Sequence, residues 1–456
     1  MKPSLLNTIL MMVLLAAPLM SSAQEPLSLD QAIELAQAHD PRIEEKEAFV
    51  RQAQGLLAEA EGSGGLRYGL NTFIALTPDV EGGFFEGGED SCSGNCEPRD
   101  DIFDLDDGIG LWTSLTFSVI KPLMTFGRLA SYQDAAQNNI LVKQGDVELQ
   151  RDAIRLDVVR AYFGYLTARD SRLLLEDTRK RLVSALELVL EMLDEGEGDV
   201  SQSDRYALES GLGLIDSYLA EATGLESIAM AGLKVLTGLK SDRLELAERR
   251  LNPVPLPTQT LAEWTQIAVE NRVEFKQVEA GLAARRALVE ANRSEKKPIV
   301  YAGVAGIFSY SPGRDRLDNP HAYDPFNSAG LTPLVGMRWE WEQGAQPARV
   351  AQAQAELEAL IHTASFARNG IPFQVEEQYV LVQSKYKSIQ SMRASAKAAR
   401  RWMIAAYTDF EAGLEEPSKI LTAMQVYVLA YAEYLKIVND YNNHVSKLQS
   451  VSGVYK

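Results

Sequence analysis

Leu111-Trp112-Thr113-Ser114-Leu115-Thr116-Phe117-Ser118-Val119 reads as an alternating strand, with small polar Ser114, Thr116 and Ser118 between large apolar Leu115, Phe117 and Val119, the period of a strand with two unlike faces. Lys121-Pro122-Leu123-Met124-Thr125-Phe126-Gly127-Arg128 then reads as a turn. Beyond it, no proline interrupts a helical run of roughly 65 residues to Gly196. At 1.5 Å per residue such a helix is roughly 100 Å long, far beyond the usual 8–20 residues of a globular domain. A short strand feeding a very long helix suits a conduit better than an enzyme.

The same programme recurs. A strand over about 329–342 leads to a turn at Gly344 and a long helix toward Gly413. In the second helix Val375, Tyr379, Val382, Tyr386, Ile389, Met392, Ala396, Ala399, Met403, Ala406 and Phe410 keep a 4-3-4-3 rhythm, the seam of helices packed lengthwise. Leu175, Leu182, Leu186, Val189 and Leu193 follow the same spacing in the first. Gly370-Ile371-Pro372 predicts an interruption or kink. Leu29, Ala36, Glu47 and Ala48 are matched by Leu261, Ala268, Glu279 and Ala280, all 232 residues later. The expected organisation is a signal peptide (1–23), a first repeat (24–238), a proline-containing connector (239–259) with Pro253, Pro255 and Pro257, a second repeat (260–453), and a tail (454–456). Each repeat reads helix, strand, loop, strand, long helical hairpin. The first repeat's strands are expected at about 66–78 and 109–121, the second's at about 299–311 and 329–342. Capping boxes at Ser28/Gln31 and Thr260/Glu263 open the leading helices.

The 456 residues carry a formal net charge of −18, which argues against nucleic acid. Lys2, the apolar run Leu5–Leu19 and the small residues Ser21 and Ala23 form a secretion signal, so the mature chain is expected to start at Gln24. Past it no stretch of 18 apolar residues occurs, and any membrane crossing must use strands closed into a barrel. Val335, Met337, Trp339 and Trp341 alternate with Gly336, Arg338, Glu340 and Glu342, as expected of a strand between lipid and a wet lumen; a soluble sandwich strand is the competing reading. Tyr68, Trp112, Trp339 and Trp341 are expected at the membrane interface. Four strands cannot close a barrel, so the chain must oligomerise to hide its strand edges, and a dimer of eight strands or a trimer of twelve would each do so.

Between Asp79 and Gly108 eleven carboxylates accompany a single Arg99, which suits a long solvated outer loop. Calcium binding by Asp100, Asp101, Asp104, Asp106 and Asp107 is the minor alternative, since the spacing fits no defined loop motif. Cys92 and Cys96 in this exported loop are expected to form a local disulfide; a metal pair is the poorer reading. Only four histidines occur, scattered, and no HExxH, GxSxG, GxGxxG or phosphate-loop pattern exists. Ser294-Glu295-Lys296-Lys297 fits S-x-x-K without its companion motifs. No catalytic, cofactor-binding or metal-binding residue is therefore assigned, and no enzyme is expected.

Leu27-Ser28-Leu29-Asp30-Gln31-Ala32-Ile33 through His39-Asp40-Pro41, the turn Pro122-Leu123-Met124-Thr125-Phe126-Gly127-Arg128, and Leu421-Thr422-Ala423-Met424-Gln425 through Asp440-Tyr441-Asn442 to Gly453 together resemble the TolC family of outer-membrane efflux proteins. The resemblance spans essentially the whole mature chain. It implies a mainly α fold: long antiparallel helices forming an α-barrel tunnel, and four strands per chain contributing to a 12-stranded trimeric outer-membrane β-barrel. It also implies a homotrimer in outer-membrane lipid with most of its mass in the periplasm. A periplasmic adaptor and an inner-membrane pump of the RND, ABC or MFS type would be its partners in efflux or type I secretion. A soluble periplasmic coiled-coil adaptor or scaffold is the alternative, which explains the long helices but not the strands.

One departure concerns the gate. The family's best-studied members ring the closed tunnel with two aspartates just after the second hairpin tip. Lys419 and Thr422 stand at those positions here. Carboxylates at the tips are the replacement candidates: Asp194, Glu195, Glu197 and Asp204 on the first hairpin, and Glu411, Glu415 and Glu416 on the second.

Overall fold

The computed structural model describes residues 26–81, 85, 97–98, 105, 108–196, 200–240, 244–317 and 323–454. Cys92, Cys96, Glu197, the five aspartates weighed for calcium and the signal peptide lie outside them. The elements in order are α1 (Leu29–His39), α2 (Pro41–Gly62), β1 (Arg67–Pro78), β2 (Ile109–Met124), α3 (Arg128–Glu195), α4 (Gln202–Thr237), α5 (Leu261–Asn271), α6 (Val273–Ser294), β3 (Ile299–Tyr310), β4 (Ser328–Arg338), α7 (Ala345–Glu411) and α8 (Pro417–Val451). The fold is mainly helical with one small antiparallel sheet.

Local chemistry sets the boundaries. Ser28 Oγ accepts from the Gln31 N–H while Ser28 N donates to Gln31 Oε1, and Thr260 and Glu263 make the equivalent pair. Donation from Thr260 holds the Glu263 carboxyl below its usual range. Pro41 restarts the helix at the first helical position, where its missing N–H costs nothing. α4 stops at Gly238 in the left-handed region (φ 70°).

Contacts divide the chain into two units, each drawing on both halves of the sequence. The first comprises Met1–Ile43, Gln150–Asn271 and Ile371–Lys456. Its core is built from Ile154, Tyr162 and Leu166 of α3, Leu208 and Leu233 of α4, Val375, Val382, Met403 and Phe410 of α7, and Ile420, Leu435, Tyr441 and Leu448 of α8. The connector is fastened here by buried polar groups. Tyr162 Oη donates to Leu27 O at 3.0 Å and also contacts Glu248. Asp170 accepts from Leu251 N at 2.8 Å. Asn442, fully buried, accepts from Val254 N and donates to Asn252 O. Leu27 pairs in parallel with Leu246.

The second unit comprises Glu44–Leu149 and Arg272–Gly370 and contains the sheet. Its helices bury mostly small residues, among them Ala53, Ala135, Ala280, Ala284, Ala353 and Ala364. The strand order is β1-β2-β3-β4, every neighbour antiparallel.

Three sequence expectations are corrected. The turn expected from Lys121 is still strand: Lys121 and Pro122 pair with Ala302 and Tyr301, and a register shift between Pro122 and Met124 absorbs the missing proline N–H. The turn itself is Thr125–Gly127, with Phe126 at φ 50° and Gly127 at φ 90°. β4 ends at Arg338, opposite the first residue of β3, Ile299; no strand remains for Trp339 and Trp341 to pair with. Of the interruption or kink expected at Gly370–Pro372, the interruption is corrected: α7 continues through Pro372, because Ile371 and Val375 beside it are buried and core packing outweighs the lost hydrogen bond.

Candidate channel wall and periplasmic tips

The register assigns every strand residue to one of two faces. Tyr68, Leu70, Ile74 and Leu76 share a face with Leu111, Leu115, Phe117 and Val119, with Val300, Val304, Phe308 and Tyr310, and with Leu331, Val335 and Met337. This face is apolar and largely exposed. The other carries Gly69, Asn71, Ser114, Thr116, Ser118, Gly303, Ala305, Ser309, Gly330 and Thr332. One surface suits hydrocarbon and the other suits water. Among the described residues β1 and β4 are the edges of the sheet.

Gly303 shows how tightly β3 sits on β2. A Cβ there would lie 2.3 Å from Val119 O and 3.1 Å from Ile120 Cα, so only glycine permits this approach. Below the watery face lies a cavity of about 1560 Å³ lined by α2, α3, α6, α7 and the inner ends of the strands. Glu59, Asp146 and Glu356 face it together with Arg67, Lys143 and Arg285, a mixed-charge wet wall.

The aromatic expectations divide. Tyr68 lies on the apolar face, while Trp339 and Trp341 are exposed and stacked, their ring centroids 6.4 Å apart. Trp112 does not belong to that face. It pairs with Ala75 on the face of Asn71 and Ser114, in edge contact with Phe73 and Phe326. Its place in the alternation Trp112-Ser114-Thr116-Ser118 already put it among the polar residues. Phe308 and Tyr310 are also exposed, near the far end of the apolar face.

At the first tip α3 ends at Glu195, followed by Gly196 at φ 68°; Asp194 and Glu195 are exposed. Asp204 is committed differently. Its carboxylate accepts from Ser201 N at 2.9 Å and Ser201 Oγ at 2.6 Å, closing the box that opens α4. At the second tip Gly413 (φ 72°) ends α7 and Pro417 opens α8. Glu411 interacts with the Tyr407 hydroxyl, whose pKa is raised first by burial and then by that carboxylate. Lys419 pairs with Glu415 one turn earlier, which raises the lysine pKa. Thr422 is exposed, its hydroxyl donating back to Ser418 O. Glu416 is exposed at the N-cap. Pro122 sits in β2, while Gly127 and Gly344 immediately precede α3 and α7.

Residues 264–454 match the family model described as outer membrane efflux protein. Protein CyaE of Bordetella pertussis is 27% identical over 256 residues, 54% of this chain and 49% of that protein; the chain thus matches about half the length of this curated relative. Among solved structures, the Campylobacter jejuni CmeC outer membrane channel aligns with a TM-score of 0.75 over 93% of this chain and 85% of that one, at 14% identity. The open state of the Neisseria gonorrhoeae MtrE outer membrane channel gives a TM-score of 0.72 over 94% and 89%, at 13% identity. CusC, described in terms of transmembrane channel formation, gives 0.73 over 93% and 92%, at 15% identity.

Proposed function

We propose that this chain, whose residues 264–454 match the outer membrane efflux protein model and whose fold aligns with outer membrane channels, is the outer-membrane channel of a tripartite efflux or type I secretion system. It passively conducts cargo handed over by a periplasmic adaptor and an inner-membrane pump. The two repeats, 24–238 and 260–453, each give two strands to a barrel and a helical hairpin to a periplasmic tunnel. Three copies close a 12-stranded barrel. One observation carries this reading: a four-stranded sheet with an apolar face, a glycine- and hydroxyl-rich face and two edge strands. Such a sheet is complete only when neighbouring copies cover its edges in lipid.

Membrane fractionation followed by planar-bilayer recording tests it. Detergent-dependent extraction from the outer membrane and discrete single-channel currents are expected. A monomer recovered in plain buffer, without current, would restore the soluble-scaffold alternative. At the tips, Asp194, Glu195, Glu411 and Glu416 supply the negative constriction in place of an aspartate ring. Asp204 is held by its capping box, and Lys419 offsets Glu415. Asp194→Asn with Glu195→Gln is expected to weaken block by divalent cations applied from the tip side; unaltered block removes these residues from the gate.

A further inference from the structure

Exposure changes along the watery face of the sheet. In its middle rows Asn71, Thr116, Gly330 and Thr332 are open to solvent, as a lumen wall requires. At the end remote from the helices Thr77, Ser114 and Ser309 are buried, none above 4% exposed, although they belong to the same face. The chain's own connections cover them. Beyond β1, Val80 N donates to Gly313 O and Asp315 N donates to Val80 O, both at 2.9 Å. β1 thus reaches past β2 to the continuation of β3.

The crossing runs over the watery side. Side chains at Gly110 and Gly313 would collide with the Asp79 carboxylate, and Gly110 shares the alternation of Trp112 and Ser114. Glycine at both positions is what lets the crossing segment lie so close. Side-chain bonds then fasten it. Arg314 donates to Pro78 O at 2.7 Å, and its guanidinium lies 4.1 Å from the Phe326 ring centroid. Asp324, 7% exposed, accepts from Leu317 N, Phe326 N and Asn327 N. Asn327 accepts from Ser311 N and donates to Arg314 O. Phe326 is thereby held against Trp112, which meets Phe73 in turn. Edge-to-face rings capped by a guanidinium reinforce one another.

We infer that this crossing is an outer constriction of the conduit, which sets the width of cargo released: small or extended cargo passes Asp79, Arg314 and the Phe73–Trp112–Phe326 rings, and a folded domain does not. The inference rests on the channel reading, which turns the watery face to the lumen and places this end outside. Three copies bring three crossings to one exit. The constriction is separate from the hairpin tips, since every residue in it belongs to the strand ends and the connections beyond them.

Thiol labelling from outside intact cells tests it. Thr116, exposed on the watery face and four residues inward of Trp112, is replaced by cysteine in a full chain that also carries Cys92→Ser and Cys96→Ser. The probes are a small membrane-impermeant maleimide and the same maleimide on a bulky branched polymer. The small reagent is expected to label Thr116→Cys and the bulky one to be excluded. Adding Arg314→Ala, or separately Phe326→Ala, is expected to admit the bulky reagent, with the circular dichroism spectrum unchanged. Equal labelling by both reagents before the crossing is loosened overturns the inference. So does exclusion that is identical with and without both substitutions, which would leave the rings and Arg314 a packing role only. Recovery of the wild-type chain without detergent would instead overturn the channel reading itself.

Discussion

The returning helices α4 and α8 hold corresponding places in the two repeats and have nearly the same length, 36 and 35 residues. They are used in opposite ways. α8 buries 17 of its residues within one protomer, among them Ile420, Leu435, Tyr441 and Leu448, whereas α4 buries six. On α4 the apolar residues Leu214, Tyr218, Leu225, Ile228 and Val235 recur at heptad positions yet stay exposed, Ile228 at 69% and Val235 at 82%. A duplicated plan thus yields one helix that completes its own protomer and one whose heptad-spaced apolar residues stay uncovered within it, the surface that the proposed channel would pack against a neighbouring copy. What joins α4 to α3 includes ion pairs, Arg172–Glu226 and Arg179–Asp216. α8 relies on packing, with Lys385–Asp440 at its side.

Truncation should expose this asymmetry most strongly. Leu435→Ala in α8, whose leucine is 1% exposed, is expected to cost about 2–5 kcal/mol by the cavity it leaves, read as a large fall in the thermal unfolding midpoint. Leu225→Ala in α4 should change protomer stability by about 0.5 kcal/mol or less but shift the oligomer toward monomer in light scattering. Equal effects on both measurements would erase the distinction.

The next largest effect is expected where α4 does touch the core. A Cβ at Gly211 would lie 2.6 Å from Leu421 Cδ1 and 3.5 Å from Leu182, so Gly211→Leu should cost about 1–3 kcal/mol by overpacking, measured by the same unfolding transition. Arg172→Ala removes two partly buried ion pairs, to Glu226 and Glu176, and should cost about 1 kcal/mol, with greater sensitivity to salt in the wild type than in the variant.

The smallest expected effect concerns protons. Burial holds the Asp170 carboxyl above its ordinary value of 3.8, while Arg42 holds Asp40 below it. A lowered carboxylate pKa contributes stability above the unfolded value and loses it as pH falls through the folded one; a raised pKa acts in the reverse sense. Asp170→Asn, which keeps an acceptor for Leu251 N, should therefore raise the melting midpoint slightly near neutrality, by roughly 2 °C or less. That advantage should disappear toward pH 3.8, whereas Asp40→Asn should lower the midpoint at neutral pH.

Much of this architecture was legible in the sequence because the signals are periodic or stereochemical. The alternation through Leu111–Val119, the seam from Val375 to Phe410 and the boxes at Ser28 and Thr260 each report a local requirement. The errors arose where a distant partner decides. Pro122 stays in a strand because Tyr301 lies opposite, and Trp339 leaves one because β3 has already ended. Pro372 is tolerated because the residues around it are buried. At the tips the residue types were legible but their commitments were not. Nothing in composition reveals that Asp204 serves Ser201 or that Lys419 faces Glu415.

Leu27, two residues before α1, exchanges backbone bonds with Glu245 and Ala247. Its ribbon partner is synthesised more than two hundred residues later, so this pairing closes the N-terminal end of the protomer only once the connector has been made, and ties the start of the chain to the seam between its two halves.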